Sequence, residues 1–151
     1  MSMINMKEWC LGIMDCPERT AIPIMTHPGI ELCGCTVREA VTDGQVHAEV
    51  IRKLNEIYPA AACTVIMDLT VEAEAFGAKV VFEDNEVPNV VGRLVTDVAS
   101  VKGLQIPSLK EGRISEYLKA NKLAAEYIMD KPVFGGCIGP FSLAGRLFDM
   151  S

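Results

Sequence analysis

No stretch of the chain approaches the ~20 uninterrupted apolar residues that a membrane span requires, although half of its 151 residues are hydrophobic. That combination excludes a transmembrane helix and predicts a globular chain able to bury one sizeable core. The opening MSMINMKEWC has no basic region followed by an apolar core, so no secretion leader is expected and the cytoplasm is the expected compartment. Positive charge is scarce: 14 lysines and arginines face 20 acidic residues, giving a net charge of -6. Basic side chains never cluster beyond a pair, which argues against the concentrated basic face of a nucleic-acid partner. Internal repeats, low-complexity tracts and linkers are missing, so residues 1–151 read as a single domain. The six cysteines are even in number but sit largely inside apolar segments, which suits reduced core thiols better than a secreted disulfide framework.

What is present alternates. Residues 4–14 read as a helix ending before Pro17, and 21–25 as a short strand broken by the proline and glycine of 26–29. Over 45–58, Val46, Val50, Leu54 and Ile57 fall on one helical face, leaving His47 to solvent. Residues 61–67 form a short apolar run, as expected of a strand covered on both faces, and a helix follows over 71–76. A hairpin or extended excursion is expected around Asp84 and Asn85, then a short helix over 94–102 and a loop over 105–111. The helix over 112–129 carries Ile114, Leu118, Ala125 and Ile128 on one stripe. A strand over 132–138 and a last helix from Gly139 through Met150 close the series. This is the alternation of a parallel α/β fold. Three core strands are too few to close a sheet, and a (β/α)8 barrel takes ~250 residues, so the chain reads as less than half of one.

In a parallel barrel, the three strand ends at 26–29, Asp68 and 135–140 converge on one face. Asp68 stands where the apolar run stops and a helix begins, as either a helix cap or an active-site carboxylate. The glycines of FGGCIGPF allow either close approach of a ligand or tight strand-to-helix packing. Glu72 and Glu74, two apart, point to different sides of their helix and read as favourable charges near its N-terminus. His27, Cys33 and Cys35 share one loop, but Cys-x-Cys is not the common structural zinc spacing and no fourth ligand is evident, so no metal site is expected. Arg38 and Arg146 read as solvated surface residues.

Three segments in order, IPIMTHPGIELCG, AACTVIMDLTVEAEAFGAKVVF and PVFGGCIGPFSLAGRLF, resemble the family of uroporphyrinogen decarboxylase and the related methylcobamide methyltransferases. The resemblance implies the N-terminal portion of a (β/α)8 TIM barrel, an incomplete barrel of about three strands. It places Asp68, as a catalytic residue, at the end of the second barrel strand, with His27, Gly135, Gly136 and Gly139 as substrate-binding residues on the pocket rim. Decarboxylases of the family carry an arginine-rich stretch after the first strand, suited to gripping carboxylates; here the matching MTHPGIELCG has none. The EAEAFGA run is similar to the methyltransferase branch, which moves a methyl group from a corrinoid protein to a thiol such as coenzyme M. That branch holds the thiolate on zinc through a His-x-Cys pair and a later Cys, supplied by the second half of the barrel. No His-x-Cys occurs here, so no cofactor is expected in this chain, and zinc and methylcobamide are implied only for the full-length branch.

Three readings follow from the resemblance. The first is a corrinoid-dependent methyltransferase, acting on a small-molecule or corrinoid-protein substrate, whose aspartate orients the thiol or a zinc ligand. The second is a carboxy-lyase of porphyrin biosynthesis, whose aspartate hydrogen-bonds pyrrole N–H groups and stabilises positive charge. The third is a non-catalytic half-barrel fragment, its open sheet edge covered by an oligomer partner or by the missing C-terminal half.

Overall fold

The computed structural model describes residues 4–25 and 27–148. Helix α1 (Met6–Asp15) starts where the Asn5 side chain accepts from the amides of Lys7 and Glu8. Two short helices, α2 (His27–Cys33) and α3 (Val37–Thr42), precede the longer α4 (Gly44–Ile57). α3 opens on a capping box, in which Thr36 and Glu39 each accept from the other's amide. Strand β1 (Cys63–Thr64) runs through buried Val65 and Ile66 toward α5 (Val71–Ala75). An antiparallel hairpin of β2 (Val80–Val81) and β3 (Asn89–Val90) follows, with Val80 opposite Val90. Helix α6 (Val98–Gly103), helix α7 (Ile114–Tyr127), strand β4 (Val133–Phe134) and helix α8 (Pro140–Phe148) complete the order.

β1 and β4 pair in parallel, Cys63 opposite Val133 and Thr64 opposite Phe134, with α7 in the crossover between them. The amides of Cys63 and Val65 donate to the carbonyls of Pro132 and Phe134 at 2.9 and 3.2 Å. The core is organised around α4, which is buried on two sides. Val50 and half-buried Val46 pack with Ile30, Val37 and Val41 of α2 and α3, while Ala48 and Ile51 pack with Cys63, Val65, Ala124 and Ile128. The second contact is close because its residues are small. A side chain at Gly44 would put its first carbon 2.3 Å from the Glu116 carbonyl, and Ala48, Ala120 and Ala124 are fully buried along the same seam. A third cluster, Ala73, Ala78, Val95 and Leu147, ties α5 to α8. Each fully buried Val or Ile contributes about 1.5–3 kcal/mol, so α4, buried on both sides, anchors the helices to the strand pair.

The structure corrects several expectations. Residues 21–25 form no strand: Pro23 has no amide to give to a ladder, and the segment meets the β1 region through a single bond from the Ala61 amide to the Ala21 carbonyl. Two parallel strands, not three, therefore stand among the described residues. The expected break at 26–29 is a helix start, because Pro28 falls in the first turn of α2, where no amide donor is required; Thr26 lies outside the described residues, as does Met150. The stripe of α7 is rotated: Tyr117, Ala120 and Ala124 are buried, whereas Leu118 and Ala125 are exposed. Ile57 is exposed and His47 buried, the reverse of the expected pattern. All six cysteines are free, but only Cys63 is buried, while Cys10, Cys16 and Cys137 are exposed. Helix α3 has no expected counterpart, and the strands expected over 61–67 and 132–138 pair only at Cys63–Thr64 and Val133–Phe134; the hairpin brackets Asp84 and Asn85 as expected. No described helix is long and apolar enough to cross a membrane.

Candidate functional site

The site begins where the β1 segment turns toward α5. At Ile66 the backbone amide donates not to a neighbouring strand but to Nε2 of buried His47, at 2.9 Å. Burial pulls this imidazole from 6.5 down to about 4, against the opposing influence of Asp68, so His47 is neutral and carries its proton on Nδ1. Its ring stands edge-on to Tyr117 of α7, with centroids 4.9 Å apart.

Asp68 follows two residues later, and its two oxygens do different things. Oδ1 accepts from the amide and the hydroxyl of Thr70, at 2.8 and 2.7 Å, closing the turn that precedes α5. Oδ2 accepts from Nη1 of Arg113 at 2.6 Å, and the side chain is only 3% exposed. Arg113, at the start of α7, also donates to Glu74 through Nε at 2.6 Å, to the Thr70 hydroxyl at 2.7 Å and to the Val41 carbonyl at 3.3 Å. The guanidinium lies over the Phe82 ring, 4.7 Å from its centroid. Burial opposes its charge, but the Asp68 and Glu74 carboxylates more than restore it. Asp68 thus closes a turn and is also a fixed carboxylate, with one face held by Arg113 and the other on a cavity.

That cavity, of about 410 Å3, opens beyond the ends of β1 and β4 and is walled by apolar side chains including Ile24, Val65, Ile114, Leu118 and Phe134. Asp68, Glu72, Tyr117, Asn121 and Cys137 bring polar groups to it. Oε1 of Glu72 accepts from the Ile138 amide at 3.1 Å, which links α5 to the segment after β4. Its Oε2 is buried without a hydrogen-bond partner, and so is the Tyr117 hydroxyl. Burial, together with the nearby Asp68 and Glu72 carboxylates, raises the Tyr117 hydroxyl well above its ordinary value and keeps it protonated.

Of the residues expected on the rim, Gly135 and Gly136 line the cavity. At Gly135 an added carbon would lie 3.0 Å from Oδ1 of Asn121, so packing against α7 explains the missing side chain there. Gly139 has open space around it and stands outside the lining, and His27 opens α2 with an exposed side chain, also outside it. Arg38 pairs at the surface with Asp84, and Arg146 reaches Asn89 at 3.5 Å. Among the described residues, no three His, Cys, Asp or Glu side chains converge on a metal position. Sequence reading overlooked Arg113 and Tyr117, placed His47 in solvent and read Glu72 only as a favourable charge near a helix N-terminus. A signal existed only for His47, which is spaced with Gly44, Ala48 and Ile51 on a second face of α4.

Residues 16–151 match the family described as uroporphyrinogen decarboxylase (URO-D). The chain belongs to this family. Its relatives include the methylcobamide:CoM methyltransferases MtbA of Methanosarcina acetivorans and Methanosarcina mazei, 33% and 34% identical over 120 residues. Those residues are 78% of this chain and 35% of each relative, so the chain spans about a third of the length of the curated relatives it matches. A solved structure, a methyltransferase from Methanosarcina mazei, superposes with a TM-score of 0.73 at 26% identity, covering 87% of this chain and 41% of that one. The α/β order of strands and helices is consistent with part of a barrel.

Proposed function

We propose that this chain forms, as one partial domain, the Asp68-bearing wall of a corrinoid-dependent methyltransferase that moves a methyl group from a methylcobamide to a thiol in the cytoplasm. The observation that carries this reading over a carboxy-lyase is the cavity lining, which contains Asp68 and Glu72 but no lysine or arginine. A porphyrinogen bearing many carboxylates would meet carboxylates there instead of guanidiniums. The similarity to two methylcobamide:CoM methyltransferases supports the same choice. Asp68 is the positioning group of the wall: Thr70 and Arg113 fix both its oxygens, and Oδ2 keeps a lone pair with which to orient a substrate donor. Zinc does not fit the residues described here, since His27, Cys33 and Cys35 do not converge into a metal site, and the role of Asp68 is argued without it.

The test is spectroscopic. The chain, alone and with the remainder of an MtbA barrel supplied in trans, is mixed with methylcobalamin and a thiol while corrinoid absorbance is followed. Demethylation is expected in the mixture, reduced at least about ten-fold in Asp68→Asn. Decarboxylation of uroporphyrinogen by the same mixture, with the corrinoid unchanged, would overturn the assignment.

A second reading, that the chain works only against a partner surface, is favoured by apolar side chains left in water, among them Ile106 at 94% and Phe141 at 81% exposure. Light scattering on the purified chain decides it. A stable, cooperatively unfolding monomer would count against it.

A further inference from the structure

Cys33, Gly34 and Cys35 stand apart from the cavity and take no part in the methyl-transfer reading. They close α2: the Gly34 amide donates to the Glu31 carbonyl at 3.1 Å and the Cys35 amide to the Ile30 carbonyl at 3.4 Å, with Gly34 at a φ of +65°. Two such bonds around a left-handed glycine make a Schellman turn, so the backbone between the cysteines takes a left-handed helical step. Residues two apart across a helical step of either hand have Cα atoms about 5.4 Å from each other. A disulfide needs about 4.4–6.8 Å. Both side chains are half-buried against the apolar cluster that contains Ile30, Val37 and Val41. Their thiols are also in contact: Sγ of Cys35 donates to the Ile30 carbonyl at 3.8 Å, and its hydrogen bond to Cys33 favours a thiolate there.

The surroundings give the two sulfurs different parts. Burial raises both thiols above their ordinary value. At Cys33 the cations Lys53 and Arg52 offset that rise against Glu49, and Lys53 reaches the neighbouring Leu32 carbonyl at 3.5 Å. At Cys35 the Cys33 sulfur and the Glu39 carboxylate add to it, opposed by a backbone hydrogen bond and Lys53. Cys33 therefore forms its thiolate the more easily. A carbon added at Gly34 would meet open space, so that side of the turn is accessible to a small molecule.

We propose that Cys33 and Cys35 form a redox-active dithiol that exchanges with low-molecular-weight disulfides, Cys33 as the attacking sulfur and Cys35 as the resolving one. The Cys33 thiolate, its proton lost to water, attacks one sulfur of a disulfide RSSR; the S–S bond breaks, and RS⁻ leaves and takes up a proton. The Cys35 thiolate then attacks the Cys33 sulfur of the mixed disulfide and expels the second RS⁻. Two protein thiols have given up two electrons, and one RSSR has become two RSH. With one residue between the cysteines, the new bond closes almost no loop and gains little from chain entropy. It belongs with labile, reversible disulfides and not with structural staples.

The probe is bis(2-hydroxyethyl) disulfide with its own thiol as the redox couple. The chain is equilibrated with both, quenched with N-ethylmaleimide at acidic pH and digested with trypsin, and the mass of peptide 20–38, which holds these two cysteines and no other, is measured. In the folded chain the peptide should lose two hydrogens and carry no maleimide. Its equilibrium constant for closure should be at least about ten-fold greater than in urea, because the turn holds the sulfurs together only when folded. An equal constant in urea would overturn the proposal, as would a peptide that stops at the mixed disulfide or pairs with Cys10 or Cys16. Cys35→Ser should hold the probe on Cys33, at least about three-fold faster than Cys33→Ser takes it on Cys35; the reverse order would overturn the assigned roles. The closure measurements use the unmutated chain, so they stay decisive even where a variant fails to fold.

Discussion

The two sides of Asp68 are built on opposite rules. Behind it, Arg113 uses Nε, Nη1 and Nη2 on Glu74, Asp68, Val41 and Thr70, so a buried charge is compensated on every side. In front of it, Glu72 and Tyr117 each carry a buried polar atom with no partner. The first arrangement holds a carboxylate still, and the second leaves two shielded polar atoms with their bonding capacity unused. Polar groups clustered in one place therefore divide into those whose hydrogen bonds are complete and those whose hydrogen bonds are not.

This contrast predicts a ranking. Arg113→Met should be the most damaging change, because it leaves Asp68 and Glu74 without their counter-charge; a loss of about 3–5 kcal/mol is expected in urea unfolding, and a loss below about 1 kcal/mol would erase the distinction between the two sides. The next effect is a response to acid. Folded His47 titrates at about 4 against 6.5 for an ordinary histidine, so between those values the unfolded chain binds more protons. Stability should be full above about pH 6.5 and fall by about 3 kcal/mol as the pH drops toward 4. Unfolding curves across that range check it, and a His47→Gln variant should lose this component of the slope.

Gly44→Ala brings a carbon within 2.3 Å of the Glu116 carbonyl and should lower stability by about 1–3 kcal/mol through the α4–α7 seam. An unchanged melting curve would mean that the seam yields freely. Tyr117→Phe removes a buried hydroxyl that lies near the Asp68 carboxylate without a well-formed hydrogen bond, so stability should stay within about 0.5 kcal/mol or rise; a loss above about 1.5 kcal/mol would show that the hydroxyl belongs to the framework. The smallest effect is expected from Arg52→Ala, which removes surface pairs with Glu49 and Glu56. About 0.5 kcal/mol or less, shrinking with added salt, is expected in the same assay.

Local signals in the sequence were enough for much of this fold. The apolar run around Val65, the hairpin near Asp84 and the long helices at 44–57 and 114–127 all appear close to where periodicity puts them. Asp68 was legible as a junction residue because apolar strand and helix patterns meet there. Two errors came at segment starts: Pro28, read as breaking a strand, opens a helix, and the Thr36 to Glu39 capping signature was overlooked. A third came from assuming one buried face per helix. α4 has two, and the second, Gly44, His47, Ala48 and Ile51, is marked only by spacing, since its residues are mostly small or polar. Arg113 was invisible for a different reason: nothing local distinguishes an arginine that will bond four distant groups from one that will sit in water.

Those distances along the chain bear on the order in which the molecule assembles. The groups Arg113 bonds lie 39 to 72 positions earlier in the sequence, so the cluster cannot close until α7 has docked across the segments that carry them. Contacts of such separation require large loops to be closed first and are slow to form. The direction in which Asp68 points is therefore expected to be settled late in folding. Variants at Arg113 should accelerate unfolding and leave the refolding rate almost unchanged in stopped-flow measurements.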